Sequence, residues 1–332
     1  MERYTLSNGY EMPKIGLETF QMKPEEAEAA AASALAAGYR HIDTANICMN
    51  ERAVGRAIKR SGISRDEIFV SSKLWPSVYR TGAEAIDATL SRLETDYLDM
   101  LILHQRAGDY VRAWKAMEDA YVQGRMRAVG LPNFSEKQIQ KVMASAHVMP
   151  QLVTVECHPC HQQRALRNCL KARNILLEAW YPLGHGDRRL LEEPVFVRRA
   201  KRYGKTPAQL VLRRHVHMGT SVIPSSTNPA HIAANADIFD FSLSAFEMAE
   251  MATLDGKTLL PPKPDEPSCL SHDASRLRRS EIASGLARKL AKEHWTCIPE
   301  GHASTDRHAK KMPAPHERRR HQTMDYERSS TP

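Results

Sequence analysis

The chain has 332 residues, 47 Lys+Arg against 39 Asp+Glu for a formal charge of +8, and 42% hydrophobic residues. That balance suits a globular protein with a substantial core, and no apolar run approaches the roughly 20 residues of a membrane helix. No basic stripe with interleaved aromatics occurs, which argues against nucleic-acid binding.

The N-terminus shows no charged-then-apolar leader. The six cysteines, at 48, 157, 160, 169, 269 and 297, are scattered rather than framed for disulfides. A cytoplasmic protein is expected. The CHPCH run at 157–161 has CxxC spacing, but no second CxxC or HxxxH follows it. It reads as a loop after a strand, and no metal is expected.

In chain order, a strand is expected over 14–19 (KIGLET), followed by an amphipathic helix, PEEAEAAAASALAAG, with acids in its first turn and a terminal glycine. Strands follow at 40–45 (RHIDTA), 68–75 (IFVSSKLW) and 98–104 (LDMLILH). YVRAWKAMEDAYVQG then reads as a helix stopped by glycine. Further strands are expected at 127–133, 152–157, 175–180 and 220–224, with a helix over TPAQLVLRRHVHMG whose proline follows a capping threonine. Runs rich in Val, Ile and Leu suit strands buried on both faces of a parallel sheet. Eight strand-then-helix units in about 250 residues predict a (β/α)8 TIM barrel of the α/β class over residues 1–264. Past the proline-rich PPKPDEP, residues 265–332 carry 13 Lys/Arg and 10 Asp/Glu. They read as a polar tail, with one amphipathic helix near Leu277–Leu290 and disorder beyond.

In such a barrel the chemistry sits at the C-terminal ends of the strands. Asp43, Lys73, His104 and Asn133 all fall there. Singly, each has a bland reading: Asp43 as a helix cap, His104 as a satisfied core histidine. Lys73 is harder to set aside, because a lysine inside an apolar strand needs a counter-ion. An acid, a lysine and a histidine on successive strand ends point to one pocket.

Together GYRHIDTA, NERAVGRAI, SSKLW, the strand ending in His104, NFSEKQI, ECHP, PLG, YGKTPAQLVLR and NADIFDFSLS resemble the aldo-keto reductase family over residues 3–262. The pattern is closest to the bacterial 2,5-diketo-gluconate reductase type. The resemblance implies NADPH-dependent reduction of a small aldehyde or ketone, with NADH possible as a substitute, by a protein that is a monomer in many relatives. The family's tetrad is aspartate, tyrosine, lysine and histidine. By motif these fall on Asp43, Lys73 and His104, with Cys48 where the tyrosine would stand.

A thiol beside Lys73 is expected to titrate below its usual ~8.5, leaving a thiolate that cannot donate a proton. The resemblance further assigns the nicotinamide to Asn133, Thr154 and Trp180, the adenosine end to Ser225, Ser226, His231 and Asn235, and Leu183 to the cofactor as well. Ser225 and His231 stand where the family has cations. Phe20, Trp75 and Gln105 are left as substrate-pocket walls, and Glu18 departs from a family glycine. Three readings follow: a slow oxidoreductase, a dinucleotide-binding protein without turnover, or an eroded gene product.

Overall fold

The structure is a computed structural model, and residues 1–257 are described. The expected tail and the helix within it lie outside the described residues. An antiparallel hairpin, β1 (Arg3–Thr5) and β2 (Glu11–Pro13), comes first. The sequence reading did not include it, although Asn8-Gly9, with Gly9 at φ +88°, is the kind of dipeptide that tight hairpins use. The eight expected barrel strands all form: β3 (Leu17–Glu18), β4 (His41–Asp43), β5 (Phe69–Leu74), β6 (Met100–Leu103), β7 (Val129–Pro132), β8 (Leu152–Glu156), β9 (Leu176–Trp180) and β10 (Thr220–Val222).

Each strand pairs in parallel with the next in sequence. The sheet closes through a parallel bridge between Ile15 and Val222, with Gly16 N–H donating to Val222 O at 2.9 Å. That closure explains why β3 is shorter than its expected 14–19: Lys14 and Ile15 serve the seam with β10. The fold is therefore a (β/α)8 barrel.

Helices α1 (Pro24–Ala36), α2 (Glu51–Arg60), α3 (Gly82–Leu93), α4 (Tyr110–Val122), α5 (Glu136–Met143), α6 (Arg164–Lys171), α7 (Arg188–Leu191), α8 (Pro194–Tyr203), α9 (Pro207–His217), α10 (Pro229–Ala236) and α11 (Ala245–Ala252) cover the strands. Helix α9 begins as expected, with Thr206 Oγ1 accepting from Gln209 N–H and proline at its first position. The apolar core runs between strands and helices, from Ile15 and Ala30 to Val222 and Ile238. Met12 of β2 joins Phe69, Met100, Ile102, Ala128 and Leu152 in a separate cluster. That packing anchors the hairpin against the strands by apolar contact.

Two side chains of the NERAVGRAI segment fix the loops near the site. Buried Asn50 donates to the carbonyls of Thr19 (2.8 Å) and Met22 (3.1 Å) and accepts from Thr44 Oγ1 (2.7 Å). It thus ties the loop after β3 to the loop after β4. Fully buried Glu51 accepts from Ser72 Oγ (2.7 Å) and Arg92 Nε (2.5 Å), joining α2 to β5 and α3. Gly55 lets α2 approach α3, since a Cβ there would lie 2.6 Å from the Leu93 carbonyl oxygen.

Candidate active site

A partly open cavity is lined by Glu18, Phe20, Lys73, His104, Gln105, Pro132, Asn133, Thr154, Trp180 and Tyr181. These residues come from the C-terminal halves or ends of β3, β5, β6, β7, β8 and β9, or from the loops directly after them. Of the residues singled out by sequence, Phe20, Lys73, His104, Gln105, Asn133, Thr154 and Trp180 are brought together on the wall. Asp43 stands behind Lys73, fully buried. Trp75 packs edge-on against the His104 ring at 4.9 Å. Leu183 is half-buried against the core, and Ser225, Ser226, His231 and Asn235 lie in and just after the loop that follows β10.

The interior is organised by Lys73. Its ammonium donates to Asp43 Oδ2 and, at 3.4 Å, to the Thr44 carbonyl; Glu18 Oε1 lies 3.9 Å away. Asp43 Oδ1 accepts from Ser71 Oγ at 2.6 Å, and Ser71 in turn meets His41 Nε2 at 2.9 Å. Burial opposes the charge on Lys73, but Asp43 and Glu18 outweigh it and hold the ammonium above its usual range.

Glu178, from the middle of β9, faces the same group of charges. Its carboxyl is fully buried, with the Thr154 hydroxyl beside it. Burial pushes Glu18 up to about 8 against the pull of Lys73, with the Asp43 charge adding to the rise. Burial does the same to Glu178, helped by Asp43 and Glu18 and opposed by Lys73. Asp43 is also raised by burial, with Lys73 and Ser71 resisting. One ammonium cannot keep three enclosed carboxyls ionised. At neutral pH, then, the Lys73–Asp43 pair carries the charge while Glu18 and Glu178 hold protons.

His104 packs between Phe20 and Trp75, and its Nδ1 has no partner among the described residues. Burial and the nearby Lys73 charge lower it to about 3, so its imidazole is neutral.

The expectation for Cys48 is corrected. Its thiol is pushed up to about 12 rather than down. Burial dominates; a Gln21 backbone hydrogen bond and the Lys73 charge pull the other way, and Glu18 and Asp43 add to the rise. The sequence shows a lysine nearby but not the burial that outweighs it. Cys48 therefore keeps its proton as a thiol. It sits half-buried in the short turn Asn46–Cys48 after β4, off the cavity wall.

Trp180 Nε1 donates to Asn133 Oδ1 at 3.1 Å, which fixes the indole. Thr154 Oγ1, on the wall, is buried. Beyond β10, the segment Ser225–Asn235 contains no lysine or arginine. There Ser226 Oγ accepts from Asn228 N–H at 3.1 Å, Asn235 is buried, and His231 is exposed.

Two wall or interior residues escaped the sequence reading. Glu178 carries the signal that singled out Lys73, a charge inside an apolar strand. Tyr181 follows Trp180 at φ +47°, its ring 3.7 Å from that of His185. Glu18 was noticed only as a departure from glycine.

An acid–lysine pair and a histidine at the strand ends of a closed (β/α)8 barrel form the site. Residues 12–255 match the Aldo/keto reductase family model, and the chain belongs to that family. It is 40% identical over 267 residues to an aldo-keto reductase of Mycolicibacterium smegmatis, covering 79% of this chain and 96% of that one. It is 38% identical over 264 residues to methylglyoxal reductase DkgA of Escherichia coli, again covering 79% and 96%. The crystal structure of an aldo/keto reductase from Brucella melitensis superposes with a TM-score of 0.74 at 38% identity, covering 76% of this chain and 99% of that one.

The enclosed carboxyls make stability depend on pH in the reverse of the usual acidic sense. Glu178 binds its proton more tightly folded than unfolded, where a glutamate titrates near ~4.3. Its contribution is therefore full below that value and is lost as pH rises toward about 8. Denaturant unfolding at several pH values should show Glu178→Gln gaining on the wild type between pH ~5 and ~8, by on the order of 1–4 kcal/mol in total. A pH-independent difference would mean that Glu178 is not a protonated group in the fold.

Proposed function

We propose that this protein reduces small aldehydes and ketones to alcohols with NADPH or NADH, at a rate held down by Cys48 in the place of a proton-donating tyrosine. The observation that carries this reading is the convergence of Lys73, His104, Asn133, Thr154 and Trp180 on one cavity, with Asp43 paired to the lysine behind it. The similarity to a methylglyoxal reductase makes 2-oxoaldehydes the first substrates to try. Phe20 and Gln105 wall the cavity on the side assigned to the substrate. A monomeric, cytoplasmic enzyme fits the reading. The described cysteines are free, and among the described residues no helix is long and apolar enough to cross a membrane.

The wall fits a nicotinamide. Trp180 offers a face for stacking, while Asn133 and the buried Thr154 hydroxyl would hold the carboxamide. When bound, the reduced nicotinamide supplies a hydride to the carbonyl carbon. This chain's part is to hold the carbonyl oxygen beside neutral His104 and near the Lys73 ammonium, which stabilises charge developing on that oxygen. Leu183, Ser225, Ser226, His231 and Asn235 are assigned to the rest of the dinucleotide. Replacement of two fixed cations by Ser225 and His231 removes charge-assisted bonds worth roughly 1.5–3 kcal/mol each at a 2′-phosphate.

Cys48 is a poor donor on two counts: its thiol is off the cavity wall, and it holds its proton up to about 12. Loss of a general acid costs on the order of 10²–10⁴ in rate. The Cys48→Tyr variant should therefore reduce methylglyoxal or a simple aldehyde faster than the wild type, by up to about 10²-fold where no other group donates the proton, followed as loss of NADPH absorbance. A revertant no faster than the wild type would remove Cys48 from the account. Fluorescence quenching of Trp180 should give affinities for NADH and NADPH within about tenfold of each other, a difference below ~1.4 kcal/mol. A strong NADPH preference would show that cations from elsewhere serve the 2′-phosphate.

A further inference from the structure

Among the described residues Glu18 is the one carboxyl on the cavity wall, and the family pattern does not explain it. It ends β3 in register with Asp43, its backbone N–H directed to the Pro224 carbonyl at 3.4 Å across the barrel seam. Its carboxyl lies 3.9 Å from the Lys73 ammonium and lines the same cavity as His104 and Trp180. We propose that Glu18 supplies the proton in carbonyl reduction here, a role that rests on the reductase reading above.

Geometry and charge support this together. Lys73 is already paired with Asp43, which takes its closest contact. The groups facing Glu18 are Lys73 on β5, Asp43 on β4, Glu178 on β9, His104 after β6 and Cys48 in the turn after β4. His104 is neutral and Cys48 is a thiol, so Lys73 is the one cation of this set. Burial and the Asp43 charge keep Glu18 protonated up to about pH 8. A carboxylic acid held neutral by its surroundings is an effective donor when it titrates near the working pH. A thiol near 12 has far less tendency to give up its proton.

The step balances without further reagents. The carbonyl carbon accepts the hydride of the reduced dinucleotide, and the carbonyl π pair moves to oxygen. The Glu18 O–H bond breaks as the new alcohol O–H forms. Glu18 is left as a carboxylate beside the Lys73 ammonium, where the new ion pair stabilises the product state, and solvent returns the proton after release. The dinucleotide leaves oxidised and the carbonyl leaves reduced.

The test compares wild type, Glu18→Gln, Tyr181→Phe, Cys48→Tyr and the Cys48→Tyr/Glu18→Gln double variant, each checked by circular dichroism. Rates are measured with NADPH and methylglyoxal from pH 5 to 10, and NADPH affinity by fluorescence quenching. Glu18→Gln should lower kcat by about 10² or more while leaving NADPH affinity within a few-fold. Wild-type kcat/KM should fall above an apparent pKa near 8, a limb that the double variant lacks, because a phenol then donates. Tyr181→Phe should keep the wild-type limb.

A Glu18→Gln rate within threefold of wild type, or loss of the limb in Tyr181→Phe instead, overturns the assignment. A silent wild type with an active Cys48→Tyr also overturns it, and leaves the reductase barrel standing. Silence of every variant removes the reductase reading itself, and the proton-donor role with it.

Discussion

Lys73 is shut inside the barrel with Asp43, Glu18 and Glu178, and most of the site's character follows from that imbalance of charge. A buried ammonium demands a carboxylate, and Asp43 meets the demand, steadied by Ser71 and the neutral His41 behind it. The remaining two acids have no second cation to share. In a low-dielectric interior the cheapest resolution is to keep protons on them. The same arrangement keeps Cys48 a thiol and His104 an uncharged imidazole. Each of these states is set by its neighbours, and none could be assigned from the residue's own chemistry.

The scaffold around this core is largely polar hydrogen bonding between loops rather than additional apolar packing. Asn50 reaches two carbonyls of the loop after β3, and so holds Glu18 and Phe20 near the turn that carries Cys48. Glu51 anchors α2 to β5 through Ser72, next to Lys73 in sequence. Removing either side chain would leave buried partners unpaired, at a cost of about 1–3 kcal/mol per group. The turn that carries Cys48 is thus tied by residues on either side of it.

The barrel was legible because buried parallel strands are written as continuous apolar runs, and because the helices between them carry their caps in the sequence. The first strand was read too long, since closure of the cylinder uses Lys14 and Ile15 in a seam that one strand's sequence cannot reveal. Asp43, Lys73 and His104 were legible as a group from their common position at strand ends. The state of Cys48 was not, because a neighbouring lysine shows in the sequence while the burial that outweighs it does not. Glu178 interrupts ILLEAW much as Lys73 interrupts IFVSSKLW, and carries the same signal of an inward-facing charge in an apolar strand. Membership in the Aldo/keto reductase family rests on the match over residues 12–255 together with this fold.

The most direct measurement is a carbon-13 NMR titration of the protein labelled at glutamate δ-carboxyls, with no substrate or dinucleotide added. Two signals should titrate near pH 8, far above the ordinary glutamate range around ~4.3. One should disappear on substitution of residue 18 by glutamine and the other on substitution of residue 178. A spectrum in which every glutamate titrates in the ordinary range would contradict the account, because the barrel would then hold a fully ionised cluster around Lys73.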